Sequence, residues 1–560
     1  MQEIIWKMAE PDQAICRHLR EEVGLNETFA NLMQLRGIRD YETARRYFRP
    51  EASHLHDPFL MKDMQVAVDR VLKAIHNQEK ILIYGDYDVD GTTSVALLYH
   101  YLCSIYDKNQ IEFYIPNRYK EGYGLSEAGI QYAIQEKVHL LICIDCGIKS
   151  NDLIAVANNH SIDTIICDHH LPGEALPPAH AILNPKQSDC PYPFKELCGC
   201  GIGFKLLQAL QSKLNPVSDH HFQYLDWVAV AIAADIVPMN GENRILAFLG
   251  LKKLNENPST GIKAMLDVAG HTKNVSISNV VFIIAPRINA AGRMDDAKKV
   301  VRLLLNESYE SAKEQAIELQ SDNTDRREIE SEQTKEALSM IACDPEFPNL
   351  KSNVIHAPHW LKGVIGIMAS RLQEHYYRPT IVLTEQDGKL SGSARSIPGF
   401  NICEGISACS EELIQFGGHA AAAGLTLSAE NLQAFKKKFE AVVAQQVTDE
   451  MLQKKILIDV PLQFKEINMR FYDVLNKMQP FGPDNMNPVF VSYGVQCCNT
   501  PQKMKEKHIR LNCRQNEVTF TCVGFGLAHC FDILAYNKLY DIVYHVELNE
   551  FNGNTSLQLH

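Results

Sequence analysis

Three carboxylates, Asp86, Asp88 and Asp90, stand at alternate positions directly after the apolar run ILIY at 81–84, and Gly91 and Thr92 follow them. A strand that ends in three acids must leave the sheet at once, because like charges this close repel and each resists ionising. A divalent cation removes the conflict. The DxDxDG spacing also opens a calcium loop of the EF-hand kind, but the later ligand positions and closing glutamate of such a loop are missing. The acids are therefore read as the end of a strand in an α/β sheet, aimed at the crevice where such sheets bind ligands.

The surrounding pattern agrees. Residues 61–77 place Met61, Met64, Val68, Val71, Leu72 and Ile75 on one helical stripe. Strand-like runs at 81–84, 111–116, 140–145 and 164–168 alternate with helix-like stretches at 91–106, 126–137 and 154–159, and helices at 201–214 and 222–234 close the unit. Short apolar strands alternating with helices predict a mostly parallel sheet covered on both faces. Two further strand ends carry matching groups: Asp145 closes LLICID, and Asp168, His169 and His170 close TIICD. Asp235 ends the apolar helix VAVAIAAD. Acids and imidazoles gathered at one sheet edge suit Mn2+, and Mg2+ as well. The set suffices for two ions, which about 4 Å apart activate a water and stabilise the oxygens of a phosphoryl transfer.

Residues 241–340 read as mostly helical, with a long charged helix over 307–338. A second α/β unit follows over about 350–445, with SGSARS at 391–396 and GGHAAAAG at 417–424. From 455 the chain turns to short strands with turn residues between them, the pattern of a small barrel of the OB kind. The division is 1–60 lead-in, 61–240 catalytic α/β domain, 241–340 helical connector, 341–450 second α/β domain and 455–560 barrel.

Composition excludes several classes. A hydrophobic share of 46% and a charged share of 22% describe a folded globular chain. The net charge of −13 argues against non-specific coating of nucleic acid, though not against a local basic groove. No apolar run reaches membrane-spanning length, and the first twenty residues lack a signal-length apolar stretch, so a cytoplasmic protein is expected. The 16 cysteines lie scattered in strand-like runs, as buried hydrophobes in a reducing compartment do, and the Cys143/Cys146 pair is read as structural.

The runs GDYDVDGT, DCG at 145–147 and DHH at 168–170 resemble the signature motifs of the DHH phosphoesterase superfamily. RYKEGYGL (118–125), LCGCGIGFKL (197–206), APRINAAGRM (285–294), SGSARS, FGGHAAAAG and PFGPDNMNPVF (480–490) narrow the resemblance to the RecJ family of bacterial single-strand-specific exonucleases, over nearly the whole chain after about residue 40. The resemblance implies a parallel-sheet DHH domain, a helical linker, a smaller α/β DHHA1 domain and an OB domain. It implies a 5′→3′ exonuclease that hydrolyses single-stranded DNA to 5′-mononucleotides by metal-activated water, in repair and recombination. Asp86, Asp88, Asp90, Asp145, His169 and Asp235 fall on its metal positions, with Asp145 bridging. His170, Asp145 and Asp88 are implied to be catalytic, and His170 to touch the scissile phosphate. Arg118, Arg287, Asn289, Arg293, Ser391, Ser393, Arg395 and His419 are implied to hold the DNA backbone and its 5′ phosphate. Guanidinium groups suit that task on chemistry alone. Asp295 and Asp296, directly after AGRM, add negative charge beside Arg293. His508 and Arg510 are assigned to strand binding by the barrel. The family further implies a single-strand-binding protein and a RecQ-type helicase as partners, no membrane, and a monomer. Two other functions remain open: a phosphodiesterase for short oligonucleotides or small nucleotides, and a non-catalytic single-strand-binding scaffold.

Overall fold

The computed structural model describes residues 4–386, 388–551 and 553–560, with only the backbone of Phe551. The chain divides into two compact units. One holds 6–285, 300–312 and 457–560, and the other holds the residues before 6 together with 286–299 and 313–456.

In the larger unit, Ile81–Gly85 leads into the helix Val89–Ile105, and Ile111–Tyr114 into Glu127–Gln135. Leu140–Ile144 leads into Asn151–Asn159, and Asp163–Cys167 precedes the short strand Ala181–Leu183. These strands are fully parallel, in the order Ile111–Tyr114, Ile81–Gly85, Leu140–Ile144, Asp163–Cys167, Ala181–Leu183. Ile81–Gly85 and Leu140–Ile144 are buried at every position, as strands covered on both faces must be. The chain runs first to one edge of the sheet and then back past its starting strand. The switch of direction falls between Ile81–Gly85 and Leu140–Ile144, where an open α/β sheet leaves its binding crevice. Ala181–Leu183 is the element missed by periodicity, because three residues are too few to show a period.

Helices Gly199–Leu214, Leu225–Ala234 and Gly241–Glu256 pack beside this sheet. A buried arginine on the last of them ties in the N-terminal helices and the C-terminal barrel. Arg244 donates to the carbonyls of Tyr47 (3.0 Å), Met478 (2.9 Å) and Pro480 (3.3 Å), and its guanidinium lies 3.9 Å from the Tyr47 ring centroid. Beside it, Lys205 and Glu242 form a buried ion pair at 2.8 Å. The barrel is a curled sheet in which His508–Gln515 pairs with Val518–Gly524 and Gln502–Met504, and Phe490–Cys497 pairs with Leu539–Tyr544.

In the smaller unit, most of the 34-residue helix Tyr309–Ala342 leads to a mixed sheet. Its order is Leu413–Gly418, Ala422–Ser428, Lys389–Arg395, Thr380–Gln386, Asn353–His356, with only the last pair parallel. SGSAR and the glycines of GGHAAAAG are thus antiparallel strands. Among the described residues every cysteine is a free thiol, and no helix is long and apolar enough to cross a membrane.

Arg244→Ala would leave several buried carbonyls without a donor. It is expected to lower the unfolding free energy of the larger unit by about 3 kcal/mol, read as a shifted urea midpoint.

Candidate metal centre

Each acid at the switch point is placed by a local backbone device. Asp88 caps the helix Val89–Ile105, its carboxylate accepting from the Gly91 N–H at 3.0 Å. Gly91 is required by space, since a Cβ there would lie 2.4 Å from the Asp86 carbonyl oxygen. Asp90 enters the first turn and accepts from the N–H groups of Gly199 (2.6 Å) and Cys200 (2.8 Å). Those donors open the helix Gly199–Leu214, whose positive end favours a carboxylate. Cys200 serves through its backbone, so its side chain is not what the site uses. Asp145 adopts left-handed backbone at φ +59°, a conformation that Asp tolerates better than most residues. Gly199 makes room for it, because a Cβ there would meet the Asp145 Cβ at 2.6 Å. Asp235 caps the end of Leu225–Ala234, and the next residue, Ile236, is also held at φ +59°. A β-branched residue in that region is strained.

These devices bring three of the acids around His169. Its Nε2 lies 3.2 Å from Asp145 Oδ1, 3.6 Å from Asp235 Oδ2 and 3.9 Å from Asp90 Oδ2. Asp86 is fully buried next to them. Burial, and then the neighbouring carboxylates, raise the pKa values of Asp86 and Asp145 well above the usual range. The same causes push Asp235 up to about 9. Burial holds His169 down at about 4, so its ring is neutral. A neutral imidazole has one N–H, which cannot satisfy three carboxylates. Oxygens of Asp90 and Asp235 lie within 4.8 Å of each other, as do ligand atoms of Asp145, His169 and His170. At an effective dielectric constant of about 20, charges ~5 Å apart repel by about 3 kcal/mol. Asp86 Oδ2, Asp235 Oδ2 and His169 Nδ1 are buried with no hydrogen-bond partner among the described residues. Carboxylates, an imidazole and orphaned acceptors at this spacing fit one or two divalent cations.

His170 stands beside that group, oriented by Asp168. The Asp168 carboxylate meets His170 Nδ1 at 2.7 Å and accepts from the backbone N–H groups of His170 (3.0 Å) and Ile148 (2.9 Å). Burial opposes a charge on His170, but the Asp168 hydrogen bond and charge outweigh it and raise the ring's pKa. Asp168 was legible only as part of DHH; its task of aiming His170 comes from the geometry. Arg118 lies with its guanidinium 4.9 Å from the Tyr87 ring centroid, in the same unit as the acids.

The remaining candidates belong to the other unit, except the barrel pair. Arg287 is half-buried, and burial, then the charge of Arg327, lower its pKa. Asn289 is half-buried on the same helix, Ala285–Met294. Arg293 donates to the Gly363 carbonyl at 2.8 Å. Asp295 pairs with Lys299 at 2.6 Å, and Asp296 accepts from the Lys298 N–H. Arg395 donates to Ser370 Oγ (3.1 Å) and Ser393 Oγ (3.0 Å), with Ser391 on the same strand. His419 is exposed at the turn after Gly418, its N–H donating to the Ala422 carbonyl. In the barrel, His508 Nδ1 accepts from the Gly526 N–H at 2.9 Å, and Arg510 is exposed.

A parallel sheet with this cluster at its switch point defines a protein of the DHH class, and the DHH family N-terminal domain matches residues 80–232. The DHHA1 domain matches 351–445 and the RecJ OB domain 458–560. The single-stranded-DNA-specific exonuclease RecJ of Bacillus subtilis is 36% identical over 99% of this chain and 70% of its own length. That of Haemophilus influenzae is 33% identical over 96% of this chain and 97% of its own. The crystal structure of RecJ in complex with Mn2+ from Thermus thermophilus superposes with a TM-score of 0.85 at 25% identity, covering 99% of this chain and 78% of that one. The chain belongs to the RecJ family of single-stranded-DNA-specific exonucleases.

Gly199→Ala is expected to weaken Mn2+ binding by about 10- to 100-fold in a calorimetric titration, because it displaces Asp145. Gly201→Ala, whose Cβ would have a Leu197 atom at 3.3 Å as its nearest neighbour, stays within about threefold of wild type.

Proposed function

We propose that the protein is a divalent-metal-dependent exonuclease that degrades single-stranded DNA from the 5′ end and releases 5′-mononucleotides. The carrying observation is the convergence of Asp90, Asp145 and Asp235 on His169, with Asp86 and Asp88 beside them, at the switch point of the parallel sheet. In this reading Asp86, Asp88, Asp90, Asp145, His169 and Asp235 would hold Mn2+ or Mg2+, with Asp145 the acid that would be shared. The cations supply Lewis acidity toward a phosphoryl oxygen and lower the pKa of an attacking water.

The chain's own groups do the rest. The N-terminal end of Gly199–Leu214 fixes Asp90 through two backbone N–H groups, which oppose but do not outweigh the rise in its pKa caused by burial. Asp168 fixes the His170 ring through Nδ1 and leaves Nε2 as the nitrogen that meets the scissile phosphate. Arg118, Arg287, Asn289, Arg293, Ser391, Ser393, Arg395 and His419 bind backbone and terminal phosphates, which carry no base identity, so the enzyme acts without sequence preference. His508 and Arg510 contribute weakly through the barrel. A single-strand-binding protein and a RecQ-type helicase as partners, and a cytoplasmic location, accompany this reading.

Matched strands labelled at either end, single and double, digested with Mn2+, Mg2+ or EDTA, test it. Label at the 5′ end should leave first as a mononucleotide, from single strands only, and not in EDTA. Release from the 3′ end, or action confined to dinucleotides, would contradict it. A terminal phosphate dianion suits a guanidinium, so Arg287→Ala should lower kcat/KM for 5′-phosphorylated DNA about tenfold more than for 5′-hydroxyl DNA at one salt concentration. Equal losses on both strands would remove Arg287 from end recognition.

A further inference from the structure

Tyr123 lies outside the acid set, between the strand Ile111–Tyr114 and the helix Glu127–Gln135. It is 55% exposed, yet its hydroxyl turns inward and lies 3.1 Å from His170 Nε2. The ring stands edge-on to Tyr87, with centroids 6.1 Å apart, and edge-on to His170 at 5.9 Å. The next residue is pinned as well. The Gly124 carbonyl accepts from the Tyr84 hydroxyl at 2.9 Å, and the Gly124 N–H points to Asp86 Oδ1 at 3.4 Å. Tyr123 is therefore a placed side chain beside the metal residues, although its ring reaches solvent.

Its partner makes the placement informative. His170 Nδ1 is committed to Asp168, so Nε2 is the nitrogen left to meet a substrate. Tyr123 holds that nitrogen. A phosphate oxygen arriving between them can take both the Nε2–H and the phenol O–H, in place of the contact the two groups make with each other. Desolvation of the hydroxyl and the charges of Asp145, Asp86 and Asp88 raise the phenol's pKa, so this hydrogen stays on it.

We propose that Tyr123 is a further catalytic residue whose hydroxyl, together with His170 Nε2, donates to a non-bridging oxygen of the phosphate being cleaved. The proposal rests on the phosphodiester-hydrolysis reading above. Two donors 3.1 Å apart can each reach one shared oxygen at ordinary hydrogen-bond length. Negative charge on that oxygen grows as the water adds, so the pair acts more strongly in the transition state than on the bound strand. The exposed ring leaves the hydroxyl reachable by an extended single strand.

Tyr123→Phe keeps the ring and deletes only the donor. The test is cleavage of a 5′-phosphorylated single strand whose terminal linkage is phosphate, Rp phosphorothioate or Sp phosphorothioate, with kcat and KM measured for both proteins. The variant should melt with the wild type and lose about 10- to 100-fold in kcat, with KM changed by no more than about twofold. For one phosphorothioate isomer the sulfur penalty should shrink in the variant, because the lost donor no longer distinguishes oxygen from sulfur. The other isomer keeps its wild-type penalty. Undiminished kcat overturns the proposal. So does a fall in kcat with both sulfur penalties unchanged, which makes Tyr123 a support for His170 alone. A raised KM with unchanged kcat also overturns it. If wild type cleaves none of the strands, the hydrolysis reading itself fails, an outcome distinct from a normal wild type with an indifferent variant.

Discussion

The larger unit is organised around carboxylates that repel one another in a place with little water. Asp86, Asp90 and Asp145 are almost wholly buried, and Asp235 is partly exposed. Hydrophobic burial of the parallel strands sets where they meet, and the strands' stability, not the acids', holds them there. The neighbouring backbone is shaped to permit the crowding. Gly91 and Gly199 give up side chains for space, Asp145 takes left-handed backbone, and Ile236 accepts strain. Each of these lowers the stability of the metal-free chain, as functional sites commonly do.

The chemistry divides between the units. The larger unit carries the acids, the DHH histidines and the barrel, and the smaller one carries arginines and serine hydroxyls suited to phosphate. Arg293 and Arg395 are oriented by protein acceptors, the Gly363 carbonyl and the Ser393 hydroxyl. Arg244 has a different task. It binds carbonyls from the N-terminal helices and the barrel approach, and so joins the α/β sheet, lead-in and barrel within one compact unit.

Much of this was legible in the residues. Strands such as Ile81–Gly85 and Leu140–Ile144 announce themselves as short apolar runs, and the acids after them stand where a parallel sheet binds ligands. Asp235 was readable as the acid that ends an apolar helix. Three things were not readable. Ala181–Leu183 is too short for a period. The turn of Asp168 toward His170, and not toward the other acids, depends on the Ile148 N–H, which only the folded backbone supplies. Tyr123 looks like any loop aromatic until His170 is placed beside it. In the smaller unit, SGSARS and GGHAAAAG lack the alternation of a strand because small residues occupy both faces, so their antiparallel pairing did not show.

The central claim is that the acid cluster is a liability made stable by divalent cations. Asp145→Asn tests it most directly, since Asn keeps the shape and tolerates φ +59° but removes one charge. Melting curves of both proteins in EDTA and in saturating Mn2+ should cross. In EDTA the variant should melt higher, by roughly 5 °C, because repulsion is relieved. In Mn2+ the wild type should melt higher, because it gains ligand stabilisation that the variant lacks. A variant that melts below the wild type in both conditions, or a wild type indifferent to Mn2+, would contradict the account.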